Sequence, residues 1–208
     1  MRIIGITGGV GSGKSAVLSY IANKYNCKVI LADEVAHKVK EPGEKCYTRL
    51  IELLSDEILE ADGTINKAKM ADKIFSSEEL LEKVNAIIHP AVKEYIVAII
   101  KEEKEKGKLD YLFIEAALLI EDGYIEIVDE MWYIYASEKV RRERLRTTRH
   151  YSDEKINAIM EKQLSEEEFR QHCKVVIDNG GNLENTYQQI DRKLGDDTWQ
   201  KEKNMQDN

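Results

Sequence analysis

The sequence has little proline: Pro42 and Pro90 are the only two in 208 residues, and neither a proline-rich linker nor an internal repeat is present. Cysteine is also scarce. Cys27, Cys46 and Cys173 are odd in number and show no C-x-x-C spacing, which excludes a disulfide framework and leaves idle or buried thiols in a reducing cytosol as the expectation. No apolar run approaches membrane-spanning length. The first strand begins at the first residues, leaving no room for a signal peptide, so the expected location is the cytoplasm. Positive charge is not in excess either: 31 Lys and Arg against 39 Asp and Glu give a net charge of −8. No global field draws in nucleic acid or an anionic membrane, and a polyanionic substrate needs a local basic patch. What remains is the composition of a charge-rich globular protein, large enough for one domain with insertions or for one large and one small domain.

The most informative stretch is Gly8-Gly9-Val10-Gly11-Ser12-Gly13-Lys14-Ser15, which fits G-x-x-x-x-G-K-[ST], the phosphate-binding loop of nucleotide triphosphatases and kinases. Glycines let the backbone curl and turn successive N–H groups toward phosphate oxygens. Lys14 can reach the β and γ phosphates, and the Ser15 hydroxyl can join a Mg²⁺ shell. A helix starting near Lys14 adds the positive end of its dipole. The alternative is an incidental glycine loop. Against it, Arg2 to Thr7 reads as a buried strand, and Val17, Leu18, Ile21 and Tyr25 follow at helical spacing.

Further strands are expected at Lys28–Ala32, Tyr111–Ile114, Met131–Tyr135 and Val175–Ile177, as continuous apolar runs typical of parallel strands covered on both faces. Asp33 ends the second and Glu115 follows the third, on the edge where ligands bind in open α/β sheets. Asp33 can equally cap the short helix Glu34–Val39, which Pro42-Gly43 stops. Glu115 is either an ordinary loop acid or a partner of Mg²⁺, directly or through water. Residues 45–107 are read as helical: a stripe of Tyr47, Leu50, Ile51 and Leu54, a turn at Asp62-Gly63, a helix capped by Asn66 and running to Phe75, and a capping box of Ser76 with Glu79. Pro90 is expected to kink or break the helix that follows. Its neighbour His89 is a structural histidine or a ligand contact, and the run from Lys101 to Lys108 reads as a solvated helix end.

Arg141, Arg142, Arg144, Arg146 and Arg149 lie on one helix, with Arg142, Arg146 and Arg149 on one face and Arg141 and Arg144 on another. Guanidinium forks suit phosphate oxygens, and the alternative is a solvated face paired with Glu138 and Glu143. Helices capped by Ser152 and by Ser165 with Glu168 complete a lid that could close over a triphosphate. Asp178-Asn179-Gly180-Gly181 turns at the end of the fifth strand, and Leu183–Leu194 forms the last helix. No N/T-K-x-D guanine signature follows the fourth strand, which disfavours a GTPase.

Taken in order, Ile6 to Ser15, Ala32-Asp33 with Ala36, Pro42-Gly43, Asn85-Ala86-Ile87-Ile88-His89-Pro90, Leu118-Leu119 with Glu121, Arg144-Leu145, Gln163 and Val176-Ile177-Asp178-Asn179 with Gly181 resemble the dephospho-coenzyme A kinase family from Arg2 to about Leu194. That resemblance implies a P-loop three-layer α/β fold with a five-stranded parallel sheet. It divides the chain into a nucleotide-binding core (1–44, 108–137 and 173–195), a helical acceptor domain (45–107), an Arg-rich lid (138–172) and a frayed tail (196–208). It implies ATP-dependent phosphorylation of the ribose 3′-hydroxyl of dephospho-coenzyme A, with Mg²⁺, by a monomer or weak homo-oligomer. By the same resemblance Asp33, Lys14 and Arg144 are catalytic. Gly11, Ser12, Gly13, Lys14, Ser15, Ala16 and Arg144 hold ATP phosphates, with Asn179 and Gly181 beside adenine. Thr7, Asp33 and His89 face the acceptor, and Ser15 faces the metal with Glu115 through water.

The chain departs from the family's pattern at Ala16 for Thr, at Leu31-Ala32-Asp33 for D-A-D, and at Glu115-Ala116-Ala117 for D-x-P. Further departures are Ile159 for a common Arg and Cys173-Lys174 for Ala-Asp. A related kinase with another nucleotide-like alcohol as acceptor, and a nucleotide-binding sensor without transfer activity, are the alternatives these departures leave open.

Overall fold

In the computed structural model, which describes residues 1–75 and 77–195, five strands form one parallel sheet. They are β1 (Arg2–Thr7), β2 (Cys27–Leu31), β3 (Tyr111–Glu115), β4 (Glu130–Tyr135) and β5 (Val175–Asp178), in the order β2-β3-β1-β4-β5. β1 is central. The chain leaves it to build one side of the sheet with β2 and β3, then crosses to build the other with β4 and β5. In such sheets the crevice at the carboxyl end of the switch-point strand binds ligands.

Alternation along each strand explains the layers. Ile4, Ile6, Phe113, Trp132, Ile134, Val175 and Ile177 point to one face. There they are buried with Val17, Leu18 and Ile21 of α1 (Lys14–Lys24) and Ile190 and Leu194 of α9 (Leu183–Leu194). Ile3, Leu112, Ile114, Met131 and Tyr133 point to the other. Since both faces are covered, neither needs polar residues, which is why the strands read as unbroken apolar runs. The three-layer architecture is the expected one.

The helices between β2 and β3 are α2 (Ala32–Lys38), α3 (Lys45–Leu54), α4 (Lys67–Phe75) and α5 (Glu78–Lys106). Their apolar residues, among them Leu50, Leu54, Met70, Val84, Ile87 and Ile96, join the same buried cluster as the second face of the sheet. Asn66 caps α4 as expected, its Oδ1 accepting from Lys69 N at 2.9 Å. On the far side of β4 lie α6 (Glu138–Arg149), α7 (Asp153–Glu161) and α8 (Glu166–His172), with Ser152 and the Ser165–Glu168 capping box in their expected places.

Local expectations are corrected at three places, and one falls outside the described residues. Of the expected kink or break at Pro90, the break does not occur: α5 continues through it. Val84 and Ile87 before the proline and Val92, Ile96 and Ile100 after it are buried in one cluster, so packing holds the two halves in one helix despite the missing N–H. β2 ends at Leu31 rather than Ala32, and α2 starts two residues early. Asp33 therefore lies in the first helical turn and does not cap it, Leu31 being the N-cap. There its carboxylate still favours the helix dipole. The capping box assigned to Ser76 falls on a residue outside those described, and Ser77 caps α5, its hydroxyl accepting from Leu80 N. The charged end of α5 is not wholly solvated: Glu103 is buried between Lys28 at 2.8 Å and Lys106 at 3.2 Å.

All three thiols are free. Burial pushes Cys173 up to about 12, so it is an inert packing residue. Among the described residues no helix is long and apolar enough to cross a membrane. The tail assigned to 196–208 lies outside the described residues.

Candidate active site

The turn after β1 is built from backbone that side chains avoid. Gly11 and Gly13 have φ of +85° and +87°, a region costly for other residues. A Cβ on Gly13 would collide with Asn179 Nδ2, and one on Gly9 with the Arg141 guanidinium. The loop closes on itself through Ser12 N to Gly9 O at 3.0 Å, and α1 starts with Ala16 N and Val17 N donating to Gly13 O. Lys14 folds over the loop. Its Nζ donates to Gly8 O at 2.7 Å and lies 3.5 Å from Glu115 Oε1. Burial holds the Lys14 ammonium below its ordinary value, against the pull of Glu115. Burial likewise lifts the Glu115 carboxyl, with Lys14 opposing and Asp33 adding to the rise.

A cleft of about 790 Å³ opens over this turn, lined by Gly11, Gly13, Lys14, Ser15, Asp33, Glu115, Arg144 and Arg149 among others. A smaller cavity of about 150 Å³ adjoins it, lined by Asp33, Ala36, Ile88, His89, Asp122 and Tyr124. Asp33 lines both. His89 is oriented by Asp122, with Nδ1 and Oδ1 3.0 Å apart. Pairs of this kind fix the ring and its tautomer.

The five arginines divide, and their sequence grouping does not predict how. Arg142 pairs with Glu138 and Asn157, and Arg146 with Asp153, all at the surface. For these two the solvated-face alternative is what the structure has. Arg144 reaches the loop from α6, donating to Ser12 O at 3.1 Å and to Asn179 O at 2.7 Å. Arg141 donates from Nε to Val10 O at 2.9 Å and from its other end to Gln163 Oε1, which also accepts from Val10 N at 3.3 Å. Arg141 and Gln163 thus clamp both sides of one loop residue. Neither was assigned to the site from sequence, because nothing local separates Arg141 from its four neighbours. Arg149 also lines the cleft and was not singled out.

Other assigned residues take varied places. Thr7 and Ser12 are buried at 1 % exposure, and neither lines the two cavities. Ala16 lies in the first turn of α1, and Gly181 in the turn after β5 has open space where a Cβ would be. Asn179, also 1 % exposed, is bonded at both ends of its amide. Its Nδ2 donates to Ser12 O at 2.7 Å, and its Oδ1 accepts from Thr186 at 3.1 Å. It is a strut between β5, α9 and the phosphate loop. Asn179→Ala should lower unfolding free energy by about 1–3 kcal/mol, the cost of leaving buried partners unpaired. Urea unfolding of the two proteins measures this.

Known proteins resemble the chain along most of its length. The sequence profile of the dephospho-CoA kinase family matches residues 2–185. A dephospho-CoA kinase of Carboxydothermus hydrogenoformans is 36 % identical, with 91 % of each chain covered. One from Dehalococcoides mccartyi is 34 % identical over 88 % of this chain and 91 % of its own. Among solved structures, TT1252 from Thermus thermophilus superposes with a TM-score of 0.75 at 27 % identity, covering 93 % of this chain and 96 % of the other. A dephospho-CoA kinase from Campylobacter jejuni shares the fold, with a TM-score of 0.70 at 22 % identity and 94 % and 96 % coverage. The phosphate loop, the strand order around it and the matched length lead to one conclusion: the chain belongs to the dephospho-CoA kinase family.

Proposed function

We propose that the phosphates of ATP lie over Gly11–Ser15 while the acceptor enters through the cavity of His89, so that Asp33 meets the acceptor hydroxyl between them. The activity is that of the family: ATP phosphorylates the ribose 3′-hydroxyl of dephospho-CoA, giving coenzyme A and ADP, the last step of coenzyme A synthesis. The observation that carries the assignment of roles is the position of Asp33, which lines the phosphate-loop cleft and the His89 cavity alike.

In this reading the 3′-oxygen attacks the γ-phosphorus in line and the bond to the β,γ-bridging oxygen breaks. Asp33 accepts the hydroxyl proton. Lys14 moves from Gly8 O and Glu115 to the β and γ oxygens, and the loop N–H groups complete the cradle. Arg144 holds the loop's shape through Ser12 O and borders the cleft from the lid. Ser15 and Glu115 both line the cleft, and their oxygens suit a hard cation. Mg²⁺ held there, with Glu115 acting through water, would neutralise charge on the phosphates. The helices of 45–107 serve the acceptor and those of 138–172 act as the lid. The protein acts as a monomer or weak homo-oligomer, and the free thiols accord with a cytoplasmic setting.

ADP release with dephospho-CoA, with nucleosides and with nucleoside monophosphates tests the acceptor. Dephospho-CoA is expected to be turned over at least tenfold faster than the others, about the discrimination a site gains from one or two specific polar contacts. No turnover of dephospho-CoA, with ready turnover of another acceptor or of none, would overturn the assignment.

A further inference from the structure

α2 carries more chemistry than Asp33. His37 follows Asp33 by four residues and Lys40 follows His37 by three, so the three lie along one side of the helix and its extension. Lys67, in the first turn of α4, brings its Nζ to 3.2 Å from His37 Nε2. Lys40 is half-buried. Among the described residues none of these three has a carboxylate at ion-pair distance, although the chain has 39 acidic residues to 31 Lys and Arg. Some lysines elsewhere find one, as Lys38 does with Glu41 and Lys83 with Glu79, so what marks this group is the close approach of Lys67 to His37 one turn from Asp33.

The arrangement is unfavourable as it stands. Burial and the charge of Lys67 lower the Lys40 pKa, and burial, Lys40 and Lys67 lower that of His37, against weaker opposing pulls from Asp33 and Glu34. Lys67 also sits at the amino end of α4, where the helix dipole disfavours a cation. An anion bound among the three would offset their mutual repulsion and the unfavourable dipole at Lys67.

We infer that His37, Lys40 and Lys67 form a binding site for the diphosphate group of the acceptor. This rests on the reading of Asp33 as the group that meets the acceptor hydroxyl. Four residues of helix span about 6 Å, so the cluster begins one helical turn from that hydroxyl. Dephospho-CoA carries its diphosphate on the 5′ carbon of the same ribose, one sugar away from the 3′-oxygen. The phosphates of ATP have their own cradle at Gly11–Ser15. Two anionic groups of different molecules would thus be held on separate cationic sites, with Asp33 between them.

The test uses the full chain with Lys40→Met/Lys67→Met and, to keep the charge, Lys40→Arg/Lys67→Arg. The methionine pair should lower kcat/KM for dephospho-CoA by about tenfold or more, the loss expected for exposed charge-assisted contacts, mainly through KM. The KM for ATP should hold, and the arginine pair should retain most of the activity. Unchanged kcat/KM for dephospho-CoA, or an equal loss toward ATP, would overturn the site. A second readout needs no turnover: the ring-proton resonance of His37, titrated with inorganic diphosphate at neutral pH. It should move as the ring gains a proton in the wild type and stay still in the methionine pair. An intact shift without phosphorylation of dephospho-CoA would sink the functional reading and leave the anion site standing. Normal turnover with no shift and no effect of the substitutions would do the reverse.

Discussion

Lys14→Ala should lower kcat/KM for ATP by roughly 10²–10³-fold, the range found when one preorganised electrostatic donor is removed from a phosphoryl- or acyl-transfer site. The expectation follows from where the ammonium is kept. It lines the cleft and is held by a loop carbonyl at 2.7 Å and by Glu115 at 3.5 Å. Burial already disfavours its charge against the pull of Glu115, and phosphate oxygens that enter the cleft add further negative charge beside it. Phosphoryl transfer asks little of the protein beyond position and charge, so one cation here matters more than one on the surface. The loss should fall on kcat as well as KM, because charge at the bridging oxygen grows only in the transition state. The substitution also leaves Glu115 without its cation, so its carboxyl rises further. Steady-state kinetics against ATP decide the matter, and unchanged kcat/KM would remove Lys14 from the phosphate contact.

Asp33→Asn is the second large effect. The amide keeps the shape of the carboxylate but cannot take a proton, so turnover should fall by roughly 10²-fold or more. ATP affinity should be nearly unaltered, because the residue lies at the edge of the cleft rather than in the loop. Asp33 is exposed, in the first turn of α2, with Leu31 as the cap, so folding does not depend on it. A variant that folds and binds ATP normally yet turns over slowly is the signature of a general base. Near-normal turnover would assign the proton to water and leave Asp33 as a spacer.

Most of the architecture could be read from residues alone, for physical reasons that apply unevenly. The phosphate loop was legible because its glycines and lysine are required by the same local backbone that binds the ligand. The strands were legible because burial on two faces forces unbroken apolar runs such as Leu112-Phe113-Ile114 and Trp132-Tyr133-Ile134. The continuity of the helix through Pro90 was not, since a local rule says the proline kinks or breaks it and only the shared cluster of Val84, Ile87, Val92 and Ile96 keeps the two halves in one helix. The arginines of α6 were legible as a concentration of charge and illegible as individuals. Arg141 meets Val10 and Gln163, Arg144 meets Ser12 and Asn179, and Arg142 and Arg146 meet only surface partners. The partners of Arg141 and Arg144 lie 22 to 132 residues away in the chain, far outside any periodicity. Lys67 beside His37 is of the same kind, two residues brought together only by the packing of α4 near α2.

Asn179 shows the limit from another side. Its place after β5 could be read from sequence, but the side chain is buried under Ser12 and held by Thr186. A residue that shapes the phosphate loop and one that touches a base look alike in sequence.

The central claim is transfer of the γ-phosphoryl group of ATP to one hydroxyl of dephospho-CoA. Mass analysis of the product of a reaction with dephospho-CoA, ATP and Mg²⁺, followed by treatment with a 3′-nucleotidase, tests it most directly. The account predicts coenzyme A and ADP in equal amounts, with the new phosphate released by the 3′-nucleotidase. ADP and inorganic phosphate beside unchanged dephospho-CoA, or a phosphate that the 3′-nucleotidase leaves in place, would contradict it.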